Sequence, residues 1–187
     1  DGATWGEQAQ LSVPGSFIGD TVAISGNTAI CGARVDDESR GAAYIFVRNG
    51  SNWSQEAKLI ASDRLVDDNF GSSVAISGET AVIGAPAKDS REGSVYVFTR
   101  SGGTWNEQEI LTATDPQQND YFGWAVAISG DTLIVGVPGD DLTANTLFSE
   151  GAAILHSNGI GQVQIGDGCL NLGNAAPQVQ TLQSGRD

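Results

Sequence analysis

The chain has 187 residues, of which 40% are hydrophobic and 17% charged, and its formal net charge is -14. The apolar content excludes a disordered chain, and no apolar run approaches the roughly 18 residues that a membrane-spanning helix needs. We expect no nucleic-acid partner, because 23 acidic residues against 9 Lys and Arg would repel a phosphate backbone.

A repeat with an offset of 52 residues dominates the sequence. The segment at 70–86, FGSSVAISGETAVIGAP, recurs at 122–138 as FGWAVAISGDTLIVGVP, and the segment at 18–34, IGDTVAISGNTAICGAR, is a degenerate first copy. The segments 41–48 and 93–100 also match, with 151–156 as a weaker third copy. Segments led by Trp5, Trp53 and Trp105 complete the pattern, which predicts a repeat architecture.

Each period predicts four short antiparallel strands. In the two-residue turns 26–27, 78–79 and 130–131, Gly comes first and supplies the positive φ of a type II′ hairpin turn. The predicted fold class is therefore all-β, with β-propeller-type blades of four antiparallel strands. We expect about three blades plus an N-terminal strand, which form either a partial propeller or one that closes by oligomerisation.

The predicted units follow one another without long helices. Blades occupy 1–157: a strand four at 5–13, a blade at 17–61, a second at 70–113 and a partial blade at 122–157. The segment 158–187 is rich in Gly and Gln and is predicted to be a tail, which serves as a linker or as a partner-binding extension. Within it, residues 162–165 are a candidate last strand for the partial blade.

Two residue groups resemble a known family. Phe70-Gly71 with Gly84-Ala85-Pro86, and Phe122-Gly123 with Gly136-Val137-Pro138, resemble the FG-GAP repeat of the integrin α-subunit N-terminal propeller and of bacterial secreted propellers. The resemblance covers residues 5–157. It implies a β-propeller used for extracellular recognition or cell adhesion, often with bound calcium.

Acidic residues concentrate in the loops that join strand two to strand three and one blade to the next. These loops hold 13 of the 23 acidic residues and would emerge on one face of the blades. The recurring carboxylates are candidate calcium ligands, since calcium takes six to eight oxygen atoms: Asp37, Asp89, Asp141, Asp63, Asp68, Asp115 and Asp120. The alternative is that these Asp residues only form repeated turns. The integrin-type Asp-x-Asp-x-Asp-Gly stretch is absent, because tight Ser-Gly-x-Thr turns stand there.

Three apolar residues outside the repeat are candidate contacts with a ligand or partner. Trp124 interrupts the repeated motif, and Leu147 and Phe148 lie in a loop, 139–150, that is six residues longer than its counterparts. That loop either recognises a partner or packs on the tail. By contrast, Trp53 and Trp105 hold repeated positions and are predicted to pack within the blades.

Two features of the sequence indicate an extracellular location. It begins at Asp1 without an initiator Met or a signal segment, so we expect a processed mature chain or a fragment. Asn49 and Asn52 each begin an N-glycosylation pattern, which makes them glycoprotein candidates. We expect a secreted or cell-surface protein.

The residues most often used in catalysis have ordinary structural explanations. Cys31 lies in an apolar run and is predicted to be a core residue, with a disulfide to Cys169 as the alternative. His156 replaces Phe46 and Phe98 of the other copies, so it is predicted to fill the same core position. No catalytic constellation or phosphate-binding loop appears, and we predict no enzyme and no cofactor other than calcium.

Three functions remain from this sequence. The first is a non-enzymatic extracellular recognition or adhesion module that binds a protein or glycan. The second is a structural subunit of an extracellular oligomer or filament, joined to further copies through open blade edges and the tail. The third is a secreted carbohydrate-active enzyme with paired carboxylates. The second is attractive because about three blades are fewer than the four to eight of a propeller ring, whereas two copies would supply six.

Overall fold

Three antiparallel sheets follow one another along the chain, and we call them blades 1, 2 and 3. The computed structural model describes residues 4–140 and 151–157, together with the backbone of two short strands at 163–165 and 168–170. Blade 1 consists of β1 (Val22–Ser25), β2 (Thr28–Ala33), β3 (Ala42–Asn49) and β4 (Asn52–Leu59). Blade 2 consists of β5 (Ser73–Ser77), β6 (Thr80–Ala85), β7 (Ser94–Ser101) and β8 (Thr104–Leu111). Blade 3 consists of β9 (Ala125–Ser129), β10 (Thr132–Val137) and β11 (Ala152–Ser157).

The sheets confirm the predicted fold class of propeller-type blades. Strands pair in chain order within blades 1 and 2, and β9, β10 and β11 do so in blade 3. The turn glycines Gly26, Gly78 and Gly130 have φ of 58, 57 and 55°, as the first residue of a type II′ turn requires. The helical segments α1 (Asp36–Ser39) and α2 (Lys88–Arg91) are single turns with left-handed backbone at their middle residues.

The hydrophobic core lies between the blades. Alternate residues of each strand point to opposite faces of the sheet, so we call the face towards the preceding blade the front face and the other the back face. Ile30 and Ile45 on the back face of blade 1 pack against Val74, Ile76 and Ile83 on the front face of blade 2. The same arrangement recurs one blade later, where the packed residues are Val82, Val95, Phe122, Leu133, Val135 and Ile154. Each blade is therefore stabilised mainly by its neighbour.

Glycine allows the backbones of consecutive blades to approach closely. Gly41 of blade 1 forms a parallel bridge with Phe70 at the entrance to blade 2, and Gly93 does so with Phe122. A Cβ atom at Gly41 would lie 1.9 Å from the Phe70 carbonyl oxygen, so no other residue fits without a shift. The Phe-Gly motif of one blade thus docks on the glycines of the blade before it.

Hydroxyl groups join the same backbones. The Thr21 Oγ1 donates to the Gly71 carbonyl at 3.0 Å, and the Ser73 Oγ donates to the Gly123 carbonyl at 2.7 Å. These two hydrogen bonds use equivalent residues of consecutive repeats. Each junction therefore contains a hydrogen bond that fixes the position of the next blade, in addition to the apolar contacts.

Two predicted strands are placed differently. Residues 4–13 form no strand, and the side chain of Trp5 is fully exposed. A strand needs a free sheet edge, and blade 1 already has β4 on its outer side; Leu11 and Val13 pack instead on the front face of blade 1. Residues of the predicted tail form β12 (Val163–Ile165) and β13 (Gly168–Leu170), so β12 pairs with β13 rather than extending blade 3. Within the described part of the chain, no helix is long and apolar enough to cross a bilayer.

Candidate functional site

A buried polar cluster fixes the loops on one side of blade 1. We call this side, which carries the β2–β3, β6–β7 and interblade loops, the loop face. The Asp36 carboxylate is buried there and accepts hydrogen bonds from Lys58 Nζ at 2.7 Å, Tyr44 Oη at 2.8 Å and Ser16 Oγ at 2.9 Å. Burial alone would raise the pKa of Asp36, but these hydrogen bonds hold it below its usual value. The carboxylate therefore stays charged and joins three chain segments.

Blade 2 has an equivalent cluster with a cation at its centre. The buried Lys88 Nζ lies 3.2 Å from Asp63 Oδ2 and 3.5 Å from Asp68 Oδ2, and Tyr96 Oη donates to Asp63 Oδ1 at 2.7 Å. Burial alone would lower the pKa of Lys88, but the hydrogen bond to Asp63 and the charges of Asp68 and Asp63 hold it above its usual value. Burial and the neighbouring Asp63 also raise the pKa of Tyr96, so its phenol stays neutral and remains a donor.

Three of the predicted calcium ligands contact the protein's own cations. Asp63 and Asp68 contact Lys88, and Asp37 contacts Arg40 at 3.4 Å and Arg64 at 3.1 Å. The described residues contain no group of three His, Cys, Asp or Glu side chains close enough to hold a metal ion. The described side chains thus form no carboxylate cluster of that size, and calcium binding stays a prediction.

The other candidate ligands lie in the turns of loops, apart from one that lies outside the described residues. Asp37 and Asp89 have φ of 51 and 49°, a left-handed conformation in which Asp is tolerated in turns. Asp115 Oδ1 accepts a hydrogen bond from Thr114 Oγ1, and Asp120 Oδ2 accepts one from the Gln117 backbone N–H at 2.6 Å. Asp141 lies outside the described residues.

An aromatic pair, formed by an exposed tryptophan and a partly buried tyrosine, lies on the loop face near the inner strands. Trp124 is 58% exposed, and its ring packs edge-to-face on that of Tyr121, with centroids 5.6 Å apart. The two residues precede β9, and β1, β5 and β9 are neighbours across the blades, which makes them the inner strands. We call Tyr121 and Trp124 the aromatic pair. The sequence indicated Trp124 but not Tyr121. Leu147 and Phe148 lie outside the described residues.

The repeated tryptophans pack within the blades, as predicted. Trp105 is buried, and its Nε1 donates to Glu56 Oε2 of blade 1 at 2.9 Å. The half-buried Trp53 packs against the front-face core of blade 1, and its Nε1 donates to Gln8 Oε1 at 3.3 Å. Both tryptophans therefore connect their blade to the segment before it.

Cys31 and His156 are packed against apolar neighbours. Cys31 is a buried free thiol whose pKa is raised by burial, so the core interpretation is confirmed. His156 packs edge-to-face on Phe122, and its buried Nε2 has no hydrogen-bond partner in the part of the chain that the structure describes. Burial lowers the pKa of His156, although the charge of Glu109 opposes that shift. Asn49 and Asn52 are both exposed at the β3–β4 turn, as a glycosylation acceptor must be.

Comparison with known proteins agrees with the repeat. The family model of the FG-GAP repeat matches the chain over residues 5–46, 53–98 and 105–154. Each matched segment begins at a repeated tryptophan and ends in the third strand of a blade, so the second and third segments also include the fourth strand of the blade before. None of the curated proteins matches the chain.

Proposed function

The chain belongs to the FG-GAP repeat family, and on that premise we propose that it is a non-enzymatic recognition module that binds a protein or glycan through the aromatic pair. The exposure of Trp124 beside Tyr121 is the observation that carries this proposal. Trp and Tyr dominate binding energy in many interfaces, because they bury a large area at a small cost in side-chain entropy. An extracellular setting agrees with the family and with the exposed Asn49 and Asn52.

Charge and rigidity support this use of the loop face. The buried clusters around Asp36 and Lys88 fix the loops of blades 1 and 2, so the face is preorganised for binding. The net charge of -14 favours a neutral or basic ligand over an acidic one. Calcium is expected from the family resemblance alone, and a comparison of melting temperatures with calcium and with chelator tests that expectation.

Binding to arrays tests the proposal. We expect the purified chain to bind members of a glycan array or of an array of extracellular matrix proteins. Replacing Trp124 by Ala should weaken the strongest interaction about tenfold or more. The matched control is Leu65→Ala, because Leu65 is 60% exposed in the equivalent interblade loop of the preceding repeat. The absence of binding on both arrays, or equal losses in the two variants, would overturn the proposal.

The non-enzymatic part of the proposal has its own test. The chain should release no reducing sugar from a panel of polysaccharides. Release that disappears when one of the loop-face carboxylates is replaced by its amide would favour the carbohydrate-active alternative. The structural-subunit alternative is supported by a different observation, the exposure of apolar residues on the outer faces of blades 1 and 3.

A further inference from the structure

Apolar residues of blade 1 are exposed where the equivalent residues of blade 2 are buried. On the front face of blade 1, Val22 is 67% and Ile24 64% exposed, whereas Val74 and Ile76 are 8% and 7% exposed. Val74 and Ile76 are buried because blade 1 covers them. The front face of blade 1 thus has the residues of an interblade contact without the neighbouring blade.

The back face of blade 3 likewise exposes an apolar residue whose equivalents in the other blades are buried. Ile134 is 39% exposed, although its equivalents Ile30 and Val82 are fully buried against the next blade. A Cβ atom at Gly32 or Gly84 would lie 2.1 Å from a carbonyl oxygen of the following blade. At the equivalent Gly136 the nearest atom is 3.4 Å away and belongs to Ala125 of the same blade. The glycine that admits a following blade is present, and no other blade among the described residues lies against it.

We propose that the front face of blade 1 binds the back face of blade 3 in a second copy of this chain, so that two copies close a ring of six blades. Each copy carries both surfaces that this contact needs. The contacts between blades 1 and 2 and between blades 2 and 3 show how a front face packs on a back face. A head-to-tail contact of this kind forms a closed ring when the rotation per copy completes a turn. Two copies supply six blades, within the four to eight of known propellers, whereas three copies would supply nine.

The N-terminal segment gains a partner in this assembly. Strand β11 is the edge of blade 3, and residues 5–13 correspond in the repeat to the fourth strands β4 and β8. Pairing of residues 5–13 with β11 of the second copy would complete blade 3. Trp5, which is fully exposed in the single chain, would then occupy the place of the buried Trp105. Gln108 of the second copy, which corresponds to Glu56, would offer it an acceptor.

One junction contact is missing from the proposed interface. Thr21 and Ser73 donate hydrogen bonds to the following blade, but Ala125 stands at the equivalent position of blade 3 and has no hydroxyl. The acceptor, the carbonyl of Gly19 in the second copy, would remain available. An Ala125→Ser variant should therefore bind its second copy more tightly than the natural chain does.

Sedimentation of the full chain over a wide concentration range tests the assembly. We expect a mass twice the 19.3 kDa of one chain and a lower dissociation constant for Ala125→Ser. Gly136→Ala should give a monomer with unchanged melting of its own sheets, since the added methyl has room within one chain but would collide with the second. Ile24→Lys should also give a monomer. The matched control is Leu65→Lys, which changes a similarly exposed apolar residue outside the interface and should stay dimeric.

Two outcomes would overturn the inference. A wild-type chain that stays at 19.3 kDa at every concentration would assign the open faces to further blades of a longer chain or to another protein. A dimer that survives both Gly136→Ala and Ile24→Lys would place the contact on a different surface. Neither outcome depends on the ligand of the aromatic pair, so the recognition proposal is tested separately.

Discussion

Asp36 and Lys88 occupy the same position in consecutive blades although their charges are opposite. Each is buried in a cluster that includes a tyrosine of the third strand, Tyr44 or Tyr96, and each is paired with a group of opposite charge. The charge of the central residue has changed between the two repeats, and the charges around it have changed with it. Both repeats therefore keep a buried ion pair at this position, although the sign of the central charge differs between them.

Replacing Lys88 by Met should destabilise blade 2. The substitution keeps the length of the side chain but leaves the buried Asp68 and its neighbour Asp63 without their cation. Removing one member of a buried ion pair costs about 3–5 kcal/mol, and the partial exposure of Asp63 places the expected loss of unfolding free energy near 3 kcal/mol. Urea unfolding measures it.

The control for this variant is an exposed ion pair. Arg34 lies 3.2 Å from Asp20, with both side chains at least 40% exposed, so Arg34→Met should cost less than about 1 kcal/mol. Equal stabilities of Lys88→Met and Arg34→Met would show that the buried cluster does not hold blade 2.

Acid should weaken the fold through Asp36 and Asp63. Hydrogen bonds in the folded chain outweigh burial and hold the pKa of both groups below the ordinary value of 3.8. The stability they contribute is present above that value and is lost as the pH falls through their folded pKa. Thermal melting should therefore drop steeply below about pH 4. Asp36→Asn should be less stable at pH 7 and should lose less on acidification; an unchanged acid slope would contradict this account.

Replacing His156 by Phe should stabilise blade 3. The change restores the residue found at Phe46 and Phe98 and removes a buried nitrogen that has no hydrogen-bond partner among the described residues. We expect a gain of about 1–2 kcal/mol at pH 7. Because the pKa of His156 is lowered in the fold, the wild type should also lose stability as the pH falls below its ordinary value of 6.5. Melting between pH 7.5 and about 5 measures both effects, since the carboxylates stay charged there. A variant that melts below the wild type would refute the prediction.

Gly41→Ala should disrupt the contact between blades 1 and 2. Gly41 and Gly50 both have positive φ, 82 and 64°, so alanine is strained at either position. Only at Gly41 would the added methyl meet the Phe70 backbone; no atom lies within 4 Å at Gly50. We expect a loss of about 1 kcal/mol for Gly50→Ala and about 3 kcal/mol or more for Gly41→Ala. Similar losses in chemical denaturation would show that the backbone conformation, rather than the close approach, requires glycine.

The blades could be predicted from the sequence, because the signals that specify them are local. A glycine at the start of each hairpin turn and a fixed offset locate the strands without knowledge of the tertiary structure. The segment at 5–13 matches the same pattern, but a strand also needs a free sheet edge to pair with. Within one chain no free edge lies next to this segment, because β4 occupies the outer edge of blade 1. A pattern within the segment cannot supply that information.

The polar clusters could not be predicted for a related reason. Asp36 and Lys88 lie in charged loops, where exposure is the normal expectation. Their burial goes with partners that lie elsewhere in the chain: Tyr44 and Lys58 bind Asp36, whereas Asp63, itself held by Tyr96, binds Lys88. The recurrence of tyrosine at 44 and 96, among apolar strand residues, was the one sequence feature that pointed towards a buried polar partner.

The docking of each Phe-Gly motif on the glycines of the blade before it also determines how the chain unfolds. Because the core of each described blade packs on the adjacent blade, stability is approximately a sum of blade and junction terms, as in other repeat proteins. Among the described residues, blade 2 has two junctions, whereas blades 1 and 3 have one each. In a single chain, amide hydrogens of β6 and β7 should therefore exchange most slowly, and the outer blades should open first.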